Sequence, residues 1–226
     1  MVSFDLELIV TGDGSPSIFV PSLNEHYHSV HGAVQESTKI FLSYGFDYFA
    51  VAQQLCVFEV GFGTGLNACL TAIRSVEMGK KVLYYTSEPY PLPDSVVSAY
   101  SNILTQKYPQ FKDAYNQIHT VKWGETLVSV SPFFEIEKHP TSFLEIKGLE
   151  SKVDLVFFDA FAPDVVPELW TVDAFLFLSQ LLKPGGVLVT YSAKGSVKRA
   201  LRAAGFLVES LPGPPGKREV TRAIKT

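Results

Sequence analysis

No stretch of this 226-residue sequence is long and apolar enough to cross a bilayer. The opening MVSFDLELIV has no basic segment and no small-residue cleavage pattern. A membrane partner and an export signal are therefore not expected, and the cytoplasm is the expected compartment. Cysteine is scarce. Cys56 and Cys69 sit in apolar surroundings at no metal-ligand spacing, which predicts two buried free thiols rather than a disulfide or a zinc ligand pair. His26, His28 and His31 match no common zinc spacing, and no Cys or Asp cluster completes them, so no metal is expected. Internal repeats and low-complexity segments are also missing. What remains is a chain 46% hydrophobic, enough for one sizeable core. We expect a single domain over residues 1–226, with 1–50 as an N-terminal extension and 51–226 as the core.

Charge is unevenly spread. The net charge is −4, yet residues 190–226 carry eight basic and two acidic side chains, leaving the first 189 residues strongly acidic. Lys194, Lys198, Arg199 and Arg202 fall within one helical stretch, and Lys217, Arg218 and Arg222 lie on or beside the last strand. This is the pattern of a local polyanion footprint, or of a solvated helix face with a charged tail.

Residues 4–20 read as a hairpin around TGDGS, and VHGAVQESTKIFLSYGFDYFAV reads as a helix that can break at Gly45. From residue 55 to 210 apolar strands alternate with helices, which argues a parallel sheet covered on both faces. The strands are read as LCVFEV, KVLYYTSE, IHTVKW, KVDLVFFDAF, VLVTYSA, FLVESL and REVTRAIKT, with FFEIEKHPTSFLEIKG as a separate hairpin. PGPPGK is too short for a crossover helix, so the last two strands should pair antiparallel.

VFEVGFGTGLN runs from strand through a glycine loop into a helix. Its spacing is G-x-G-x-G, with Leu66 where a dinucleotide fingerprint has its third glycine. That disfavours an NAD oxidoreductase. Acids stand at the expected strand ends: Glu59 before the loop, Glu88 after the second strand, Glu125 after the third and Asp159 after the fourth. Glycines and a helix N-terminus approached by carboxylates suit a ligand with a ribose, a base and a positive charge, and S-adenosyl-L-methionine fits better than NAD. The expected cofactor set is Glu59, Gly61, Phe62, Gly63, Thr64, Gly65, Asn67, Glu88, Gly124, Glu125 and Asp159.

FEVGFGTGLN, SEPYPL, VDLVFFDAFAPDVVPELWT and PGKREVTRAI resemble the methyltransferase domain of the bacterial tRNA 5-methylaminomethyl-2-thiouridine biosynthesis enzymes. DGSPSIFVPSLNEHYHSVHGAVQES resembles that family's N-terminal segment. The resemblance covers nearly the whole chain. It implies a Rossmann-like α/β fold of the class I S-adenosyl-L-methionine-dependent methyltransferases. That fold has a mostly parallel seven-stranded sheet with an antiparallel last strand, plus an N-terminal hairpin and helix. It also implies methylation of the aminomethyl group on the wobble uridine of tRNA, bound through its anticodon stem-loop. With no flavin fingerprint and an end at Thr226, a stand-alone methyltransferase without flavin is expected.

The implied nucleophile is a primary amine. An alkyl amine has a pKa of roughly 10.4, so freeing its lone pair at neutral pH costs at most about 4–5 kcal/mol. A carboxylate at Asp159 would orient that amine and collect its proton, which makes Asp159 the candidate catalytic residue. Phe161 and Pro163 stand where an aromatic could stack on a displaced base. Tyr27, His28, Gln35 and Glu36 could roof the pocket. Trp170 is expected in the core. The competing readings are an aminopropyl transferase of the spermidine-synthase type and a silent, RNA-binding methyltransferase-like module.

Overall fold

The structure, a computed structural model, describes residues 5–226. Phe4, where the expected hairpin begins, lies outside the described residues. The extension starts with β1 (Glu7–Val10) and β2 (Pro16–Val20), which pair antiparallel, and β3 (Glu25–His26) adds to β2. Helix α1 (Ala33–Ser37) runs into a π-helical turn at Thr38–Ser43 and, past Gly45, a 3-10 turn at Phe46–Phe49. The break falls at the expected glycine.

The core then follows as β4 (Gln54–Val60), α2 (Leu66–Met78), β5 (Lys81–Ser87), α3 (Asp94–Lys107), α4 (Lys112–Thr120), β6 (Val128–Ser131), β7 (Phe134–His139) and β8 (Val153–Phe158). It closes with α5 (Val172–Leu181), β9 (Leu182–Thr190), α6 (Gly195–Ala203), β10 (Phe206–Pro212) and β11 (Glu219–Lys225). The sheet has eight strands in the order β10-β11-β9-β8-β4-β5-β7-β6, one more than expected. β4, β5, β7, β8 and β9 are parallel, and β11 runs antiparallel to both β9 and β10.

The middle strands are mostly apolar because both faces are covered. Leu55, Val57, Leu155 and Phe157 pack on the side of α2 and α4, while Phe58, Val60, Val156 and Phe158 pack on the side of α5 and α6. Each such side chain stabilises the fold by about 1.5–3 kcal/mol.

Two expectations fail together. IHTVKW is not a strand: α4 continues to Thr120, and a turn follows. The third parallel strand is β7, inside the segment read as a hairpin, and β6 pairs with it antiparallel at the edge. Phe134, Ile136 and Lys138 face inward from β7. Lys138 is 1% exposed, its ammonium bonded to the Ile118 carbonyl at 3.1 Å and lying over the Trp123 ring. A buried lysine at a core position hides the alternation that marks a strand.

Candidate active site

The strand order reverses between β4 and β8. From β4 the chain steps outward through β5 and β7, then returns to β8 on the other side and continues to β9. Open α/β sheets bind ligands at such a point. The loop after β4 holds Gly61, and the loop after β8 begins at Asp159. The Asp159 N–H donates to the Val60 carbonyl at 2.9 Å. Gly61 has φ 87°, and a Cβ there would stand 2.6 Å from the Asp159 carbonyl oxygen. Only bare backbone fits between the two loops.

The second loop is held by two side-chain hydrogen bonds. The Tyr191 hydroxyl donates to the Ala160 carbonyl at 2.8 Å, and the Trp170 indole N–H donates to the Phe161 carbonyl at 2.9 Å. Trp170 is buried as expected and also fixes the site. The glycine loop is fixed through Thr64, whose carbonyl accepts from the Tyr115 hydroxyl (2.8 Å) and the His119 Nε2 (3.1 Å). His28 bridges the extension to the same loop, with Nδ1 on Ser17 Oγ and Nε2 on Thr64 Oγ1. Burial pushes both His28 and His119 down to about 4, so both rings are neutral at pH 7.

Between the loops and the extension opens a cavity of about 1230 Å³. Pockets for one small ligand usually run to about 300–1,000 Å³, so a second ligand has room beside the first. Of the expected cofactor set, Gly61, Phe62, Gly63, Thr64, Asn67, Glu88 and Asp159 line it. Of the expected substrate set, Tyr27, His28, Glu36, Phe161 and Lys217 line it. Tyr27 and Phe161 meet edge to face, with ring centres 5.2 Å apart.

The remaining expected residues lie elsewhere. Glu59 sits fully buried outside the cavity wall, accepting from Thr86 Oγ1 at 2.9 Å. Burial holds its carboxyl well above the usual range. Gly65 caps the start of α2 behind the wall. Gly124 and Glu125 occupy an exposed turn off the cavity, because the strand expected to deliver them does not exist. Gln35 contributes a backbone N–H to Asp13 Oδ2 (3.0 Å), and Pro163 stands outside the lining.

Much of the basic segment is already committed. Lys198 pairs with Glu219 at 2.8 Å, Arg222 with Glu209 at 2.6 Å, and Lys194 with Asp164. Lys217 turns into the cavity and pairs with Glu36 at 3.2 Å. Among the described residues, Arg199, Arg202 and Arg218 make no ion pair. Tyr191, Tyr90 and Phe143 line the cavity without having been foreseen. Tyr191 follows β9 directly, so the strand-end rule that found Asp159 could have found it.

Glu88 and Asp159 stand just past the ends of β5 and β8. Glu88 accepts the Gly63 N–H at 3.1 Å and the Tyr90 N–H at 2.9 Å. Burial raises its pKa, and these two bonds oppose the rise. Asp159 accepts from Asn67 Nδ2 at 2.8 Å. Burial pushes Asp159 up to about 7 and the charge of Glu36 adds to this, while Asn67 and Lys217 pull it back.

A doubly wound sheet with a glycine loop and an acid meeting over a cavity of this size has the architecture of a methyltransferase-type α/β enzyme. The chain belongs to the S-adenosyl-L-methionine-dependent methyltransferase family, whose profile matches residues 99–226. It is 31% identical over 215 residues to the tRNA 5-methylaminomethyl-2-thiouridine biosynthesis bifunctional protein MnmC of Magnetococcus marinus, covering 88% of this chain and 31% of that protein. It is 28% identical to the protein of the same name from Cupriavidus metallidurans, covering 96% of this chain and 33% of the relative. The chain thus spans about a third of the length of these curated relatives. The crystal structure of MNMC2 from Aquifex aeolicus superposes with a TM-score of 0.79 at 24% identity, over 98% of this chain and 71% of that one. A spermidine synthase from Thermotoga maritima superposes at 0.59 with 14% identity, over 100% and 70%. Both likenesses speak to the fold.

The cavity suits the cofactor. A carboxylate at Glu88 keeps lone pairs free for a diol beside the glycine loop, and the buried Asn67 Oδ1 has no hydrogen-bond partner in the protein. Asp159 and Glu88 give the walls the acidity that a sulfonium ligand tolerates. No helix among the described residues is long and apolar enough to cross a membrane.

Proposed function

We propose that this protein methylates the aminomethyl group of 5-aminomethyl(-2-thio)uridine at the wobble position of tRNA, in the cytoplasm. The observation that carries the reading is Asp159, a carboxylate at the switch point inside a cavity large enough for two ligands. The likeness to the MnmC proteins along most of this chain supports the choice of substrate.

Glu88, the Gly61–Gly63 backbone and Asn67 would hold S-adenosyl-L-methionine. When bound, the cofactor supplies an electrophilic methyl group. The chain's own residues do the rest. Asp159 accepts a hydrogen bond from the substrate amine and so fixes its direction. It then takes the proton that the amine releases as it becomes a secondary amine. Asn67 keeps Asp159 partly ionised near neutral pH, which this role requires. Tyr27 and Phe161 offer ring faces and edges to a base turned out of its stack. Within the basic segment, Arg199, Arg202 and Arg218 are the cations left for phosphate.

The reading is tested by incubating the protein with labelled S-adenosyl-L-methionine and tRNA from a strain lacking the gene, then identifying the labelled nucleoside. Label in a methylaminomethyl uridine supports it. No label in tRNA with intact cofactor binding would remove tRNA as the acceptor and favour a small amine in its place.

A further inference from the structure

Lys217 was expected among the phosphate contacts, and its position argues otherwise. It lies in the loop between β10 and β11, with its side chain 29% exposed. Its ammonium stands 4.8 Å from the centre of the Tyr191 ring and 3.2 Å from Glu36 Oε1. Both partners are held in place by backbone. Glu36 Oε2 accepts the Ser29 N–H at 2.7 Å. On the other side, the Lys217 N–H bonds to the Pro214 carbonyl at 3.0 Å, and Gly216 (φ 84°) leaves space that the His31 ring fills. A Cβ at Gly216 would collide with that ring. The loop is therefore docked on the extension, and it delivers a cation to the cavity rather than to solvent.

We propose that Lys217 and Glu36 form a charge-setting pair at the amine subsite, in which the Lys217 ammonium neutralises Glu36 and so leaves Asp159 free to ionise for the substrate amine. This rests on the reading of the cavity as an amine-methylating site. Lys217 and Glu36 are positioning residues, acting through Asp159.

The groups that interact with Asp159 through charge or a hydrogen bond come from six places: Glu36 on α1, Asn67 on α2, Glu59 on β4, Tyr84 on β5, Tyr191 after β9 and Lys217. Glu25 and Glu88 line the same cavity and act on Tyr191 and Tyr27 respectively. Of these groups only Lys217 is a cation. Without it, Glu36 would stand as a bare charge and hold the proton on Asp159 to higher pH. The amine would then meet a neutral acid, which orients it less well and has no room for its proton.

The test is a carboxyl ¹³C titration of Asp159 in the ligand-free protein, run for the wild type, Lys217→Met, Lys217→Arg and the double variant Lys217→Met/Glu36→Gln. The pair predicts an upward shift of the midpoint by about half a unit or more in Lys217→Met. It predicts little change in Lys217→Arg and a return toward wild type in the double variant. The acidic limb of single-turnover methylation should move in step, while the salt slope of tRNA binding stays the same. An unmoved midpoint in Lys217→Met would overturn the proposal, as would an equal shift in the double variant. A salt slope shallower by about one would instead make Lys217 a phosphate contact. Wild-type protein that fails to label tRNA would sink the amine reading, whereas a flat titration alone would sink only the pair.

Discussion

The side-chain amide of Asn67, in the first turn of α2, donates to Asp159, at the end of β8, across 2.8 Å. The two residues are far apart in the chain and meet because β4 and β8 are neighbours. The bond favours the ionised acid. Removing it in Asn67→Ala should raise the Asp159 pKa further above about 7. A hydrogen bond to a charged group contributes about 1.5–3 kcal/mol, so the shift should be about one unit or more. Methylation needs the ionised form, so its rise with pH should begin correspondingly later. A single-turnover pH profile superimposable on wild type would show that this bond does not set the acid.

Glu88 should govern cofactor affinity and leave the methylation step alone. Its carboxylate is aimed by the Gly63 and Tyr90 N–H groups. In Glu88→Ala the lost charged hydrogen bonds should weaken S-adenosyl-L-methionine binding by roughly 10- to 100-fold. Calorimetry reads this directly. Unchanged affinity would place the ribose elsewhere in the cavity.

His28 and His119 predict a stability change at acid pH. Both have folded pKa values lowered from 6.5 to about 4. The unfolded chain therefore binds more protons between those values, and stability falls as the pH drops from about 6.5 toward 4. Asp159 works in the opposite sense. Its pKa is raised from 3.8 to about 7, so its contribution falls as pH rises through that window. Denaturant titrations across pH 4–7 should show a gentler loss on acidification in a His28→Gln/His119→Gln variant than in wild type. Parallel curves would mean that neither ring is held neutral by the fold.

The strand-loop-helix around Gly61 and the acid at Asp159 were legible because both are local: an apolar run ends, and a special residue follows. The paired last strands were legible from the shortness of PGPPGK. The third strand was not, because Ile118, Thr120 and Val121 imitate a strand at the end of α4, while β7 carries Glu135, Glu137 and the buried Lys138. That error placed Glu125 in the cofactor set. The fate of the basic segment was also hidden. Whether Lys198 faces phosphate or Glu219, and whether Lys217 faces solvent or Glu36, depends on partners brought together only by the fold.

That finding changes the expected salt dependence. Seven phosphate contacts would give a log–log slope of about −5 to −6. With Arg199, Arg202 and Arg218 as the cations of the basic segment outside ion pairs, a footprint confined to that segment should give tRNA affinity a slope of roughly −2 to −3. Arg199→Glu/Arg202→Glu should weaken binding and flatten the slope further. A wild-type slope near −6 would mean that the ion pairs open on binding.

Whether Asp159 serves an amine is decided by single-turnover methylation of an anticodon stem-loop carrying 5-aminomethyluridine, by wild type and by Asp159→Asn, with cofactor binding measured in parallel. We expect label on the amine nitrogen with the wild type, and a rate about 100-fold lower in the variant with cofactor affinity within a few-fold. A wild-type protein that leaves the amine unlabelled, or a variant within about threefold of wild type, where acid–base roles are typically far larger, would take Asp159 out of amine methylation.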